Sequence, residues 1–141
     1  MVLRVLIAED EMLIALSLAD LLEAEGYEVD IAFDGATALA AACRMGAALD
    51  VLLTDLNMPH LRGEDLIRAL RTKRPGLPVV VVTGSPPNGG EVALRHYVGG
   101  HGPVILLDKP LIYDALLVAV REVSDAASCH SGELGWRMAA E

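Results

Sequence analysis

The chain has 141 residues, a length that favours a single domain with one hydrophobic core. It is 53% hydrophobic but only 4% aromatic, so its core must consist mainly of Ala, Val, Leu and Ile, as in helices packed on a parallel sheet. The formal net charge of -9 argues against direct binding to nucleic acid, because phosphate contacts need clustered Lys and Arg.

Five short apolar runs, each ending in a polar residue or a turn, predict β-strands. They occupy residues 2–8, 27–32, 49–54, 79–82 and 104–107. The second run alternates acidic with apolar residues, as an edge strand does. The fourth run is four consecutive valines, which is typical of a strand buried on both faces.

A helical pattern of apolar residues follows each predicted strand. The predicted helices occupy residues 12–25, 35–44, 63–74, 91–97 and 113–127. Gly26 is expected to end the first helix in a left-handed conformation, and Asp34 is expected to cap the second. Residues 128–141 show no clean period and are expected to form a flexible C-terminal tail.

The regular alternation of strands and helices predicts an α/β domain. Strands at this spacing are parallel and are joined by right-handed crossovers, with helices on both faces of the sheet. We find no internal repeat and no linker, so residues 1–127 are expected to form one domain.

The sequence also bears on the compartment. The first apolar run is too short for a signal peptide or a membrane span, and acidic residues follow it directly. Cys43 and Cys129 are expected to be free thiols in a reducing environment. We therefore expect a cytoplasmic protein that does not bind membranes.

Polar side chains stand at the ends of four of the five predicted strands. In a parallel sheet these ends share one edge, which brings together Glu9, Asp10, Asp55, Thr83 and Lys109. Carboxylates that lie close together bind protons or a hard cation, and oxygen ligands with open positions favour Mg²⁺ shared with a phosphate. A carboxylate can also attack phosphorus to form an acyl phosphate, provided that a cation neutralises the phosphoryl oxygens.

This arrangement resembles the response regulator receiver domain, the CheY-like family of two-component signalling. The resemblance covers residues 2–125 and implies a doubly wound, flavodoxin-like sheet of five parallel strands in the order 2-1-3-4-5, with residues 1–127 as the receiver domain. Four motifs carry the resemblance, each after a predicted strand: Glu9-Asp10, Asp55-Leu56-Asn57-Met58-Pro59, Thr83-Gly84 and Lys109-Pro110.

The resemblance implies a role for each matching residue. Asp55 would be the phosphoacceptor, with Thr83 and Lys109 contacting its phosphoryl group. Mg²⁺ would be held by Asp10, by Asp55 and by the backbone carbonyl of Asn57, with Glu9 acting through water or at longer range. The peptide bond between Lys109 and Pro110 would be cis.

The resulting hypothesis is a stand-alone phosphorylation switch and not an enzyme, apart from intrinsic autophosphorylation and autodephosphorylation that depend on Mg²⁺. A sensor histidine kinase or a phosphotransfer protein would donate the phosphoryl group. We expect no output domain after the last helix, so the signal would pass to an unidentified protein by direct contact. A monomer and a weak homodimer are both compatible with the sequence.

Three features depart from the family pattern. Leu106 stands three residues before the lysine, where receivers usually carry an aromatic residue, and Pro103 replaces a usual small residue. The segment from Thr83 to Lys109 also looks longer than usual and holds Pro86, Pro87 and several glycines. We hypothesise that residues 84–103 order on phosphorylation.

Two alternatives stay open. A pseudo-receiver would keep the fold as a binding module without switching, as the residue at position 106 and the segment 84–103 favour. A phosphatase of the haloacid-dehalogenase type would also use an aspartate nucleophile. That family usually places a second acid two residues later, where this chain has Asn57, and its nucleophile usually follows the first strand.

Overall fold

The computed structural model describes the backbone of residues 2–140 and the side chains of residues 2–127. Its strands are β1 (Arg4–Ala8), β2 (Glu28–Ala32), β3 (Val51–Thr54), β4 (Val79–Thr83) and β5 (Val104–Asp108). Its helices are α1 (Met12–Ala24), α2 (Gly35–Met45), α3 (Gly63–Lys73), α4 (Gly90–Val98) and α5 (Tyr113–Ala140), and one turn of 3-10 helix spans Gly46–Ala48.

The strands form one parallel sheet in the order β2-β1-β3-β4-β5. This confirms the predicted doubly wound α/β fold and its strand order. β2 and β5 are the edge strands, as the alternating pattern predicted for β2. All of β4 is buried, which confirms the interpretation of its four valines.

Two aliphatic clusters cover the two faces of the sheet. On one face, side chains such as Leu52 and Val81 pack against α2, α3 and α4. On the other face, side chains such as Ile7 and Leu53 pack against α1 and α5. Burial on both faces explains why the central strands are continuous apolar runs.

The predicted helix ends are confirmed where the sequence marks them. Asp34 precedes α2 and its carboxylate accepts a hydrogen bond from the Thr37 N–H at 2.7 Å. Gly26 follows α1 with a φ of 94°, in the left-handed region that favours glycine. The peptide bond between Lys109 and Pro110 is cis, as the resemblance implied.

The last helix differs from its prediction. α5 continues to Ala140 and does not end at residue 127. A missing apolar period does not by itself end a helix. The predicted flexibility of residues 128–141 lies outside the described side chains and stays a prediction.

Arg71 on α3 donates hydrogen bonds to three parts of the backbone near the starts of β4 and β5. The side chain is buried, and its Nη2 donates to the carbonyls of Leu77 at 2.7 Å and Pro103 at 3.1 Å. Its Nη1 donates to the Gly99 carbonyl at 2.9 Å. One guanidinium therefore links the chain entering β4, the chain entering β5 and the end of α4.

In the part of the chain that the structure describes, none of the helices combines the length and the apolar character needed to cross a bilayer.

Candidate functional site

Backbone hydrogen bonds beyond the strands fix the ends of β3 and β5. The Asp55 N–H donates to the Ala8 carbonyl at 3.0 Å, and the Lys109 N–H donates to the Thr83 carbonyl at 2.9 Å. The sheet ladder therefore continues one residue past each strand. As a result, the backbones of Asp55 and Lys109 are held at the carboxyl edge of the sheet before any side-chain contact forms.

Lys109 joins two carboxylates at this edge. Its Nζ lies 2.9 Å from Oε1 of Glu9 and 3.0 Å from Oδ2 of Asp55. Glu9 and Asp55 are buried, and the lysine side chain is 19% exposed. The predicted convergence of these three residues is confirmed, although Glu9 and Lys109 are 100 positions apart in the chain.

The second carboxylate oxygen of Asp55 is held by its own loop. Oδ1 accepts hydrogen bonds from the Leu56 N–H at 2.6 Å and from the Asn57 N–H at 3.2 Å. With Lys109 on the other oxygen, both oxygens of this carboxylate are oriented. The two amides were missed in the sequence, because any residue supplies an N–H and only the turn after β3 brings these two to the carboxylate.

Gly63 allows α3 to begin against this loop. A Cβ at this position would lie 2.0 Å from the backbone oxygen of Asp55, and the Gly63 N–H donates to the Leu56 carbonyl at 2.9 Å. The sequence predicted only that a helix begins here. The structure shows that the residue must lack a side chain for the loop to lie where it does.

Three acidic residues converge at the same edge. Glu9, Asp10 and Asp55 each offer an oxygen, and these oxygens lie within 4.8 Å of one another. Oε2 of Glu9 is buried and accepts no hydrogen bond from the described residues. An oriented, buried and unpaired carboxylate oxygen beside two further carboxylates fits a hard cation, so this cluster could hold a metal ion.

The pKa values of the two buried acids, Glu9 and Asp55, are shifted in opposite directions. Burial raises the pKa of Glu9 to about 7, against the opposing effect of Lys109 and with a further rise from the neighbouring Asp55. Burial also acts to raise the pKa of Asp55, but its contacts with Lys109 and Glu9 and the Asn57 N–H lower that pKa overall. Asp55 is therefore ionised at neutral pH, while Glu9 holds its proton more readily than an ordinary carboxyl.

The replacement Glu9→Gln is expected to make unfolding of the metal-free protein less sensitive to pH. A carboxyl with a pKa raised from 4.5 to about 7 stabilises the fold below pH 4.5, and this contribution is lost as pH rises through 7. The free energy of unfolding of the variant minus that of the native chain should therefore rise by about 1–3 kcal/mol from pH 5 to pH 8. Urea unfolding in EDTA measures this difference, and an equal difference at both pH values would contradict the expectation.

The other predicted residues lie at the same edge with different contacts. Thr83 is fully buried at the end of β4, and its hydroxyl accepts a hydrogen bond from the Ser85 N–H at 3.2 Å. Asp10 and Asn57 are exposed. The N–H of Asn57 contacts Asp55, and the proposed role of its carbonyl as a metal ligand stays a prediction.

Comparisons with known proteins show the family of this chain. The model of the response regulator receiver domain matches residues 5–121. The chain belongs to this family. The predicted resemblance is thereby confirmed for most of the domain.

Relatives of this receiver domain include larger regulators. The sensory transduction protein RegX3 of Mycobacterium tuberculosis is 46% identical over 79 residues, which cover 56% of this chain and 34% of that protein. A response regulator receiver protein of Anaeromyxobacter sp. is 36% identical over 114 residues, covering 81% of this chain and 45% of that protein. The receiver domain thus spans about a third to a half of the length of these curated relatives.

Solved structures show the same fold. A CheY-like receiver domain protein from Methanospirillum hungatei is 27% identical, with a TM-score of 0.80 over 92% of this chain and 99% of that one. A receiver domain protein from Clostridium thermocellum is 26% identical, with a TM-score of 0.78 over 88% of this chain and 95% of that one.

Proposed function

We propose that this receiver domain is a phosphorylation switch in which Asp55 accepts a phosphoryl group in the presence of Mg²⁺. The observation that carries the proposal is the contact of Lys109 Nζ with both Glu9 and Asp55 at the carboxyl edge of the sheet. An ionised and oriented carboxylate beside a fixed ammonium group is suited to attack phosphorus and to stabilise the charge of the phosphoryl oxygens.

The reaction follows from these positions. A carboxylate oxygen of Asp55 forms a bond to the phosphorus of a phosphohistidine, and the bond from phosphorus to the imidazole nitrogen breaks with its electron pair left on the ring. Lys109 neutralises the developing negative charge. Asp10, Asp55 and the Asn57 carbonyl would hold Mg²⁺, with Glu9 acting through water or at longer range, and the ion would supply further positive charge to the phosphoryl oxygens. Hydrolysis of the acyl phosphate resets the switch, so the domain processes no separate substrate.

A sensor histidine kinase or a phosphotransfer protein is the phosphodonor in this proposal. Receiver domains of response regulators interact with such proteins, and a cytoplasmic location, expected from the sequence, belongs to the same proposal. Next to the site, Leu13 on α1 is 80% exposed and Ile112 before α5 is 70% exposed. Leu13, Tyr113 and Lys109 line one groove of about 330 Å³, which offers an apolar docking surface beside the reacting carboxylate.

Incubation with acetyl phosphate and Mg²⁺ tests the proposal by intact-mass measurement. We expect the mass of one phosphoryl group to be added to the native chain and not to Asp55→Asn, and EDTA should suppress the addition. A chain that folds normally but gains no mass would contradict the switch and would favour a binding module without phosphorylation. Turnover of a generic phosphomonoester would instead favour a phosphatase.

Phosphorylation is also expected to change the segment 84–103. The hydroxyl of Thr83 accepts a hydrogen bond from the Ser85 N–H and can still donate its own hydrogen to a phosphoryl oxygen, so the two contacts together would order the start of the segment. We expect slower amide exchange across residues 84–103 with beryllofluoride and Mg²⁺, with a coupling of about 1–3 kcal/mol. Unchanged exchange in a sample that binds beryllofluoride would contradict this expectation.

A further inference from the structure

A tight turn in the loop after β3 holds one residue in an unusual backbone conformation. We call residues 55–62 the β3–α3 loop. Within it, the Leu61 N–H donates to the Pro59 carbonyl at 2.8 Å, and His60 between them has a φ of 70°. Among the described residues, His60 is the only one other than glycine with a positive φ. Such a turn is strained, and it persists only where the surrounding structure holds it in place.

The turn lies against the first residue of α2. A Cβ on Gly35 would lie 2.7 Å from the carbonyl carbon of Leu61 and closer still to its oxygen, so only a residue without a side chain lets the loop lie there. Gly35 does not have the positive φ that would itself favour glycine. It also begins a helix that is otherwise rich in alanine, the better helix former. The close contact with Leu61 is therefore the physical reason for glycine at this position.

Two helix starts fix the backbone of the β3–α3 loop. Gly63 of α3 lies against the start of the loop, and Gly35 of α2 lies against its end. Within the loop, Asn57 is exposed, but its neighbours Leu56 and Met58 are buried. The position of the Asn57 backbone is therefore set by the packing of the residues around it.

We propose that Gly35 is a positioning residue for the metal site, although it lies outside the acidic cluster. The inference rests on the proposed function, in which the Asn57 carbonyl is a Mg²⁺ ligand. By letting the Leu61 backbone lie against α2, Gly35 fixes the loop that carries this carbonyl. Mg²⁺ requires ligands close to octahedral positions, whereas Ca²⁺ accepts a more flexible geometry. A displaced loop should therefore weaken the binding of Mg²⁺ more than the binding of Ca²⁺.

The replacement Gly35→Ala tests this role. The added methyl group would overlap the Leu61 backbone, so the loop must shift away from α2. We expect the dissociation constant of the folded variant for Mg²⁺, measured by isothermal titration calorimetry, to rise about tenfold or more, as for other residues that orient metal ligands. The dissociation constant for Ca²⁺ should rise less. A general loss of stability would not change the preference between the two ions.

The replacement Gly102→Ala is the matched control. A Cβ on Gly102 would lie 2.6 Å from backbone atoms of Gly76, so this variant also forces two backbone segments apart. Both glycines precede strands, at the edge of the sheet opposite to Asp55. Urea unfolding should show that Gly35→Ala and Gly102→Ala both lose stability, whereas only Gly35→Ala should lose affinity for Mg²⁺.

A double replacement separates affinity from stability, should Gly35→Ala fold poorly. Adding His60→Gly removes the cost of the positive φ and lets the turn move away from the new methyl group. We expect this double variant to be more stable than Gly35→Ala but to bind Mg²⁺ as weakly. His60→Gly alone should bind Mg²⁺ like the native chain, because Gly35 and Gly63 still fix the loop.

The outcomes distinguish this inference from the proposed function. A folded Gly35→Ala chain with the native dissociation constant for Mg²⁺, equal losses of Mg²⁺ and Ca²⁺ affinity, or the same loss in Gly102→Ala would overturn the role of Gly35 and leave the proposed function standing. A native chain that binds no Mg²⁺ would overturn the proposed metal site, and this inference with it.

Discussion

Replacing Lys109 with alanine is expected to slow phosphorylation of Asp55 by about 100-fold or more. The ammonium group is the only cation that the structure places against both Glu9 and Asp55 among the described residues. Its loss removes the charge that would stabilise the transferring phosphoryl group. It also leaves two buried carboxylates without a counterion, which favours protonation of the nucleophile. The rate of mass gain with acetyl phosphate at saturating Mg²⁺ measures the effect.

The other lysine of the chain provides the control. Lys73 is the exposed last residue of α3 and lies outside the site at Asp55. We therefore expect Asp55 in the Lys73→Ala variant to be phosphorylated at the native rate. If Lys109→Ala folds and phosphorylates within a factor of about two of the native chain, electrostatic stabilisation by Lys109 is not part of the mechanism.

Replacing Arg71 with leucine is expected to destabilise the fold by about 3–5 kcal/mol, a large share of the stability of an ordinary domain. Leucine fills much of the space but leaves the carbonyls of Leu77, Gly99 and Pro103 without their donor. Burial lowers the pKa of Arg71 to about 10, with a further effect of the Arg95 charge, so burying this guanidinium has a cost. In the variant each of the three carbonyls loses its donor, and an unpaired buried carbonyl costs about 1–3 kcal/mol. We therefore expect the loss of these hydrogen bonds to outweigh the gain from no longer burying the guanidinium.

Urea unfolding measures this loss, and Arg68→Leu is the matched control. Arg68 lies on the exposed side of the same helix, 5.2 Å from the centre of the Tyr97 ring, and its replacement should cost less than about 1 kcal/mol. Equal losses for the two variants would show that the carbonyl contacts of Arg71 contribute little.

The sequence predicted the residues that stand at strand ends, and the physical reason is simple. A buried parallel strand is visible as an apolar run, and topology then brings its carboxyl end to a known edge. The convergence of Glu9, Asp55 and Lys109 is therefore predictable from the sequence. Their hydrogen-bond geometry could not be predicted, because it depends on loop backbones such as the Leu56 and Asn57 amides.

Residues that act between distant elements were missed. Arg71, Glu91 and Arg95 appear in the sequence as ordinary polar positions of helices, and only the packed structure shows that they bind backbone groups of β5 or the loops beside it. Gly63 was assigned to a helix start, and its close approach to Asp55 depends on how α3 meets the loop. Contacts that depend on the approach of two elements leave no periodic signature in either of them.

A structure of the domain with Mg²⁺ and beryllofluoride is the most direct measurement. It should show the anion on the Asp55 carboxylate, with the ammonium of Lys109 and the Thr83 hydroxyl against its fluorine atoms. The metal should be held by Asp10, Asp55 and the Asn57 carbonyl, with Glu9 acting through water or at longer range. An anion bound at any other carboxylate, or a metal held away from Asp10 and Asp55, would contradict the account.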